Sequence, residues 1–267
     1  MTEWRASDYH RESSLQQAMA QEQLGRLSLN GTERILDVGC GDGRITAQIA
    51  ARVPRGSVLG VDPSRDMIAF ASKHFGTPGE LKIRFEVADA RRLTHRGEFD
   101  LVVSFNALHW VPEQGEALDS IRSALRPGGR ALLRMVVNGP RKSLEDVIED
   151  VRRRPRWANH FSDFKTPFVH FMPDEYRTLA EGHGFRVIGL GVEDKAWDFK
   201  TREGFVAFGL ATFVEWTRRL PQSDWPTFVT DVLDSYQSVA GEANTLKFYQ
   251  MEVALAAEIT PATVALP

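Results

Sequence analysis

A single cysteine, Cys40, in 267 residues rules out an internal disulfide and a cysteine-based zinc site, and fits a reducing, cytoplasmic setting. No apolar run approaches the length of a membrane span, so no membrane partner is expected. Charges throughout the N-terminal stretch argue against a signal peptide. Neither sign of charge is in excess: 33 Lys+Arg face 36 Asp+Glu, a net charge of −3. That balance gives no reason to expect nucleic acid or anionic lipid as a partner. Repeats and low-complexity tracts are missing too. What remains is a chain long enough for a large α/β core with a cap, as a monomer or a homodimer.

Short apolar segments alternate with amphipathic ones. Candidate strands at 34–38, 57–62, 82–89, 99–105 and 130–137 are separated by candidate helices at 44–53, 64–75 and 114–125, with a turn at 126-RPGG-129. Strands that are apolar without clean alternation, joined by helices, predict a parallel sheet covered on both faces. A further helix is expected over 13–29. After Val137 the pattern changes. A Pro-started, Gly-terminated helix at 173–185 precedes a strand near 186–199, helices at about 201–219 and 223–239, and a last strand at 246–256. The expected organisation is an N-terminal helical lid (1–30), a ligand-binding core (31–138), a cap insertion (139–171), a continuation of the core (172–199), a helical cap insertion (200–240) and a final strand with the C-terminus (241–267). Such insertions sit above the carboxyl ends of the strands, where open α/β sheets bind ligands.

The first strand leads into 35-ILDVGCGDGRIT-46. Its glycines allow a sharp turn and close approach of a ligand. The spacing is G-x-G-x-G, with Arg44 where a dinucleotide fold wants its third glycine, which argues against a nicotinamide-dependent oxidoreductase. An acid ends each of the next two strands. Asp62 can accept both hydroxyls of a ribose; its alternative is a helix N-cap ahead of Pro63. Asp89 can accept from an exocyclic adenine amine while the amide of Ala90 reads the ring; its alternative is a solvated turn. Together, behind this loop, the two acids point to a nucleoside.

The ILDVGCGDG motif, Asp62, Asp89 and 99-FDLVVSFNALHWV-111 resemble a class I S-adenosylmethionine-dependent methyltransferase, strongly over 30–137 and more loosely beyond. The resemblance implies a Rossmann-like α/β fold: a mostly parallel seven-stranded sheet with helices on both faces and an α-helical cap made of insertions. It implies S-adenosylmethionine as cofactor, with no metal. It also implies that Asp37, Gly39 and Gly41 lie near the methionine portion of that cofactor, where Asn106 offers its backbone.

Methyl transfer from a sulfonium is an in-line displacement, governed by how the acceptor lone pair is positioned. An alcohol or amine acceptor must lose a proton to a base, whereas a carboxylic acid is already ionised near neutral pH. It needs neutral donors such as an indole NH or an amide NH2. The segment 9-YHRESSLQQAM-19, with 108-LHW-110, resembles the insect juvenile hormone acid methyltransferases and the plant salicylate and benzoate carboxyl methyltransferases. This implies that Gln16 and Trp110 hold the acceptor carboxylate, although Ser13 stands where those families usually carry Asn. More loosely, 106-NALHWVPEQGEAL-118 is similar to bacterial trans-aconitate methyltransferases. Read as residues alone, Ser13 and Gln16 also fit a capping box and Trp110 fits packing. His109 fits packing behind the loop or a general base, and His10 is a weak candidate for a ligand contact.

Residues 157–216 hold 13 aromatics in 60 positions, where the chain average of 10% gives about six. That excess favours an apolar pocket. Phe205, Phe208, Phe213 and Trp216 have the spacing of a cap helix packed on the sheet, while Phe161, His109 and Trp197 are expected in the acceptor pocket. The segment 157-WANHFSDFKTPF-168 resembles the cap of the juvenile hormone acid group, which favours a fatty, terpenoid or aromatic acid. Arg152, Arg153, Arg154 and Arg156 leave a polyanionic acceptor open. The expected reaction is methyl ester formation on a hydrophobic small-molecule carboxylic acid. The alternatives are methylation of a hydroxyl or amine of a small natural product with His109 as base, and a cofactor-binding protein without catalysis.

Overall fold

The computed structural model describes residues 14–76 and 82–257. Helix α1 (Ser14–Arg26) precedes five strands, β1 (Arg34–Val38), β2 (Ser57–Asp62), β3 (Ile83–Val87), β4 (Phe99–Phe105) and β5 (Leu125–Val137). Helices α2 (Arg44–Arg52), α3 (Arg65–Phe75) and α4 (Gln114–Ala124) connect them. The second half carries α5 (Leu144–Arg152), α6 (Pro173–Gly182), β6 (Phe185–Asp198), α7 (Arg202–Thr212), the short α8 (Val214–Thr217), α9 (Trp225–Ala240) and β7 (Thr245–Ala257).

All seven strands join one sheet in the order β3-β2-β1-β4-β5-β7-β6. The strands β1 to β5 pair in parallel, while β7 runs antiparallel to β5 and β6. Strands β1 and β4 are buried along most of their length, as their continuous apolar sequence requires in a sheet covered on both sides. The chain winds outward from β1 to β3 and then crosses back to β4. This leaves a switch point at the carboxyl ends of β1 and β4, where a crevice opens.

Local chemistry sets the element ends. Ser64, not Asp62, is the N-cap of α3, its hydroxyl accepting from the Met67 amide at 3.3 Å, which relieves Asp62 of that task. The expected turn at 126–129 lies within β5, where the pairing Phe99↔Leu125 shifts register before Leu101↔Arg130; the extra residues are taken up as a bulge. The single helix expected over 201–219 breaks at Phe213, and the break buries both Phe213 and Trp216.

Three apolar cores result. One lies between the sheet and helices α4 and α6, and a second lies on the opposite face, between the sheet, α2 and Leu24 of α1. The third belongs to the cap and draws on Leu15 of α1, on α5, on 157–168, and on α7, α8 and α9, so the two insertions and the start of α1 pack as one body. The far end of α1 is fastened by charge. The buried Arg134 guanidinium lies 3.2 Å from both Glu22 of α1 and Glu193 of β6, and Lys195 reaches Glu22 at 2.8 Å. Among the described residues no helix is long and apolar enough to cross a membrane, and no His, Cys, Asp and Glu cluster has the makings of a metal site.

Candidate active site

A cavity of about 480 Å³ lies over the carboxyl ends of β1, β2 and β4, within the range of small-molecule sites. Gly39, Gly41, Asp62, Asp89, Ala90 and Asn106 all line it. The glycine turn has steric causes that differ by position. A Cβ on Gly39 would lie 2.1 Å from the Ala107 side chain, and one on Gly43 would strike Ala71 and Phe85. Those two glycines let the loop after β4 and helix α3 pack against the turn. A Cβ on Gly41 would meet nothing within 4 Å; Gly41 faces the cavity.

The acids differ from one another. Asp62 ties the turn to the end of β2, accepting from the Gly41 amide at 3.1 Å and the Ser64 amide at 2.9 Å. Asp89 accepts from the Arg91 amide at 3.0 Å and is paired with its guanidinium at 2.6 Å. That pairing holds its carboxyl below the usual range against the opposing effect of burial. Arg91 also reaches Glu113 at 2.8 Å. Asp37, expected beside a ligand, does not line the cavity. It is buried beneath the turn, accepting from the Thr46 hydroxyl at 2.7 Å. Burial, with the nearby charge of Asp62, pushes its carboxyl up to about 7.

Asn106 takes a left-handed conformation, φ 57°, uncommon outside glycine and tolerated best by Asn and Asp. Two bonds fix it there. Its amide donates to the Arg134 carbonyl at 2.8 Å, and its Oδ1 accepts from Gln250 Nε2 at 2.7 Å. Gln250 is buried in β7 and was not singled out by sequence reasoning; its only signal is a glutamine within the mostly apolar 248-FYQMEVAL-255. The turn at Asn106 ends β4 and delivers 108–110 as a single 3₁₀ turn.

Asn106 and Trp110 also line a second cavity, about 130 Å³, whose wall is mostly apolar and includes Leu15 and Met19 of α1 and Phe208, Phe213 and Trp216 of the cap. Trp110 stands edge-on to Phe168 and Trp216, with ring centroids 6.3 and 6.1 Å away. Among the described residues no lysine or arginine lines this cavity. His109 does line it, although the ring is buried and its Nδ1 has no hydrogen-bond partner among the described residues. Burial, and then the neighbouring His170, hold its pKa well below the ordinary value, so it is a neutral imidazole at pH 7.

Two residues expected in the acceptor pocket are elsewhere. Phe161 lies in the cap core, 5.4 Å from the Phe164 ring and 5.9 Å from Phe228. Trp197, on β6, packs against that same core. Neither lines the cavity, because the cap needs them to bury its own helices. Gln16 is on α1, the helix that supplies Leu15 and Met19, but its side chain lies outside the described residues, as do Ser13 and His10. The arginines after residue 151 are also committed elsewhere. Buried Glu149 holds Arg152 at 2.6 Å and Arg153 at 2.8 Å, and accepts from Trp216 Nε1 at 2.9 Å and Thr166 at 2.9 Å. Arg154 reaches Ser235 and Arg156 reaches Asp231.

The strand order, with β7 reversed between β5 and β6, and a cavity over β1 and β4 define a methyltransferase architecture. Residues 35–129 match the family model described as a methyltransferase domain. The chain belongs to the class I methyltransferases. Among individual proteins, it is 30% identical over 220 residues to the juvenile hormone acid O-methyltransferase of Drosophila melanogaster, spanning 77% of this chain and 71% of that one. It is 34% identical over 135 residues to the trans-aconitate 2-methyltransferase of Deinococcus radiodurans, a match that spans 51% of this chain and 50% of that enzyme. In fold it resembles phosphoethanolamine N-methyltransferase 2 of Haemonchus contortus, solved with phosphomonomethylethanolamine and S-adenosylhomocysteine. The TM-score is 0.60 at 18% identity, over 96% of this chain and 57% of that one.

Proposed function

We propose that this chain methylates the carboxylate of a hydrophobic small-molecule acid, fatty, terpenoid or aromatic, giving a methyl ester. It is an S-adenosylmethionine-dependent methyltransferase, and the larger cavity suits that cofactor. Gly41 leaves open space beside the turn. The Asp62 carboxylate has several lone-pair sites, so ribose hydroxyls can join the two amides it already accepts. Asp89 and Ala90 sit where an adenine edge would lie. When bound, S-adenosylmethionine supplies an electrophilic methyl group on a sulfonium, which an acceptor oxygen displaces in line with departure of the neutral thioether.

The observation that carries the acceptor assignment is the meeting of the two cavities at Asn106 and Trp110, the smaller being mostly apolar and, among the described residues, without lysine or arginine on its wall. The Trp110 indole and the Asn106 carboxamide offer neutral donors there. Neutral donors orient a carboxylate without quenching its nucleophilic oxygen as a guanidinium would. Gln16, on the helix that closes the smaller cavity, is the third candidate donor. The arginine engagements around Glu149 and Asp231 weigh against a tricarboxylate acceptor.

A panel of fatty, terpenoid and aromatic acids, screened by mass spectrometry for a gain of one methyl group, tests the reading. In Trp110→Phe, which keeps an aromatic ring but loses the indole NH, KM for the best acid should rise about 10- to 100-fold, the worth of a hydrogen bond to a charged group. Cofactor affinity by calorimetry should hold. An unchanged KM would remove Trp110 from the acceptor site.

A second reading has one observation in its favour: His109 lines the smaller cavity as a neutral imidazole. It would then be the base for a hydroxyl or amine acceptor. Activity confined to such acceptors, and lost in His109→Gln, decides for it.

A further inference from the structure

Among the described residues Glu145 is the one carboxylate that lines the smaller cavity, and the reaction described above leaves it without a task. It lies in the first turn of α5, where it faces the cavity together with Leu144 and Ile148. The other acids of that helix are engaged. Asp146 closes a capping box with Ser143, Asp150 takes Lys142 at 2.7 Å, and Glu149 holds Arg152 and the Trp216 indole. Among the described residues Glu145 has no hydrogen bond or ion pair. The hydroxyl of Thr212, also on the cavity wall, already donates to the Phe208 carbonyl at 2.8 Å. A helix N-terminus favours an acid in its first turn, which accounts for an acid in α5 but not for one turned to an apolar cavity. A carboxylate in such a place is costly unless a donor meets it. Glu145 does not line the larger cavity, whereas Asn106 and Trp110 line both, so Glu145 belongs to the acceptor side alone.

We propose that Glu145 selects the acceptor: its carboxylate accepts a hydrogen bond from a hydroxyl that the acid carries besides its reacting carboxyl, and it repels a second carboxylate. The inference rests on the carboxyl-methylating reading and narrows it to hydroxy acids. Two like charges brought into a cavity with low-dielectric walls repel far more than they do in water. A site with a polar group meant for a substrate hydroxyl rejects the analogue that lacks it, whereas an apolar wall discriminates weakly. One residue then favours the hydroxy acid and excludes the dicarboxylic acid.

The test uses the straight-chain acids from hexanoic to dodecanoic, their terminal hydroxy acids and the matching dicarboxylic acids. kcat/KM for ester formation is measured with the parent protein, Glu145→Gln and Glu145→Leu. The readout is the ratio between acids within each protein, which a general loss of activity does not move. In the parent, the best hydroxy acid should exceed its plain counterpart about tenfold or more, and the matching dicarboxylic acid should fall about tenfold or more below it. Gln keeps an acceptor oxygen but loses the charge, so it should retain the first ratio and lose the second; Leu should lose both. Parent ratios near one at every chain length, or ratios that neither variant changes, overturn the role of Glu145 while leaving carboxyl methylation intact. If the parent methylates none of the acids but does methylate hydroxyl or amine acceptors, the carboxyl reading falls and this inference falls with it.

Discussion

At the residue scale, three carboxylates near one cavity behave in three ways because their surroundings differ. Asp62 is held by two backbone amides, Asp89 by a guanidinium, and Asp37 by one hydroxyl in a buried place. Asp37 is pushed up, to about 7, mainly by burial, whereas Asp89 is held below its usual range. A carboxyl whose pKa is higher folded than unfolded binds more protons in the folded state. Its contribution to stability is therefore full below about pH 4 and is lost as pH rises to about 7. The loss is on the order of 4 kcal/mol. Urea unfolding of the parent and Asp37→Asn at several pH values should show the parent losing stability relative to the variant across that window. Parallel pH dependences would mean that Asp37 is ionised throughout. The motif that identifies the fold thus contains an acid buried beneath the turn rather than one lining the cavity.

At the scale of elements, the cap is organised around Glu149. Burial pushes its carboxyl up, but hydrogen bonds from Arg152, Trp216 and Thr166 outweigh burial and hold it below its usual range. These bonds tie α5 to the 3₁₀ turn and loop at 158–168 and to α8, which together carry part of the cavity wall. Glu149→Leu strands the buried Arg152 charge and leaves the Trp216 indole without its acceptor. Removing one partner of a buried pair costs about 3–5 kcal/mol, so denaturant unfolding should reveal a loss of that size. A loss below about 1 kcal/mol would mean that apolar packing alone holds the cap. In the sequence this segment read only as a run of arginines suited to a polyanion. Their partners come from residues up to 81 positions away, as with Arg154 and Ser235, and no local pattern announces that.

At the scale of the whole molecule, the last strand reaches back to the middle of the chain. Gln250 of β7 pins Asn106, 144 positions earlier, at the point where the two cavities meet. Gln250→Leu keeps the strand apolar but releases the Asn106 side chain. It should lower kcat/KM for the acceptor about tenfold, the cost of losing one to two hydrogen bonds' worth of positioning, while the thermal midpoint stays within a few degrees. Equal losses in cofactor affinity and acceptor kinetics would assign Gln250 to folding instead. The sheet order makes this contact possible: β7 inserts beside β5, and Gln250 pairs with Val136 in register, next to the strand that ends at Asn106.

The local sequence determined the strands, most helices, the glycine turn and the acids that follow it. Apolar run length, capping residues and left-handed glycines act over a few residues and need no knowledge of the rest of the chain. The placement of Gly39, Gly41, Asp62, Asp89 and Asn106 along one cavity wall follows from that order once the sheet is wound. Which aromatics face a ligand was not legible. Phe161 and Trp197 have the same chemistry as Phe208 and Trp216, and only the packing of the cap decides which of them line the cavity. Tertiary structure also buried Asp37 away from the cavity wall, engaged the arginines with Glu149 and Asp231, and left Glu145 facing the cavity. Burial and the identity of distant partners set these outcomes, and both belong to the folded molecule rather than to any stretch of sequence.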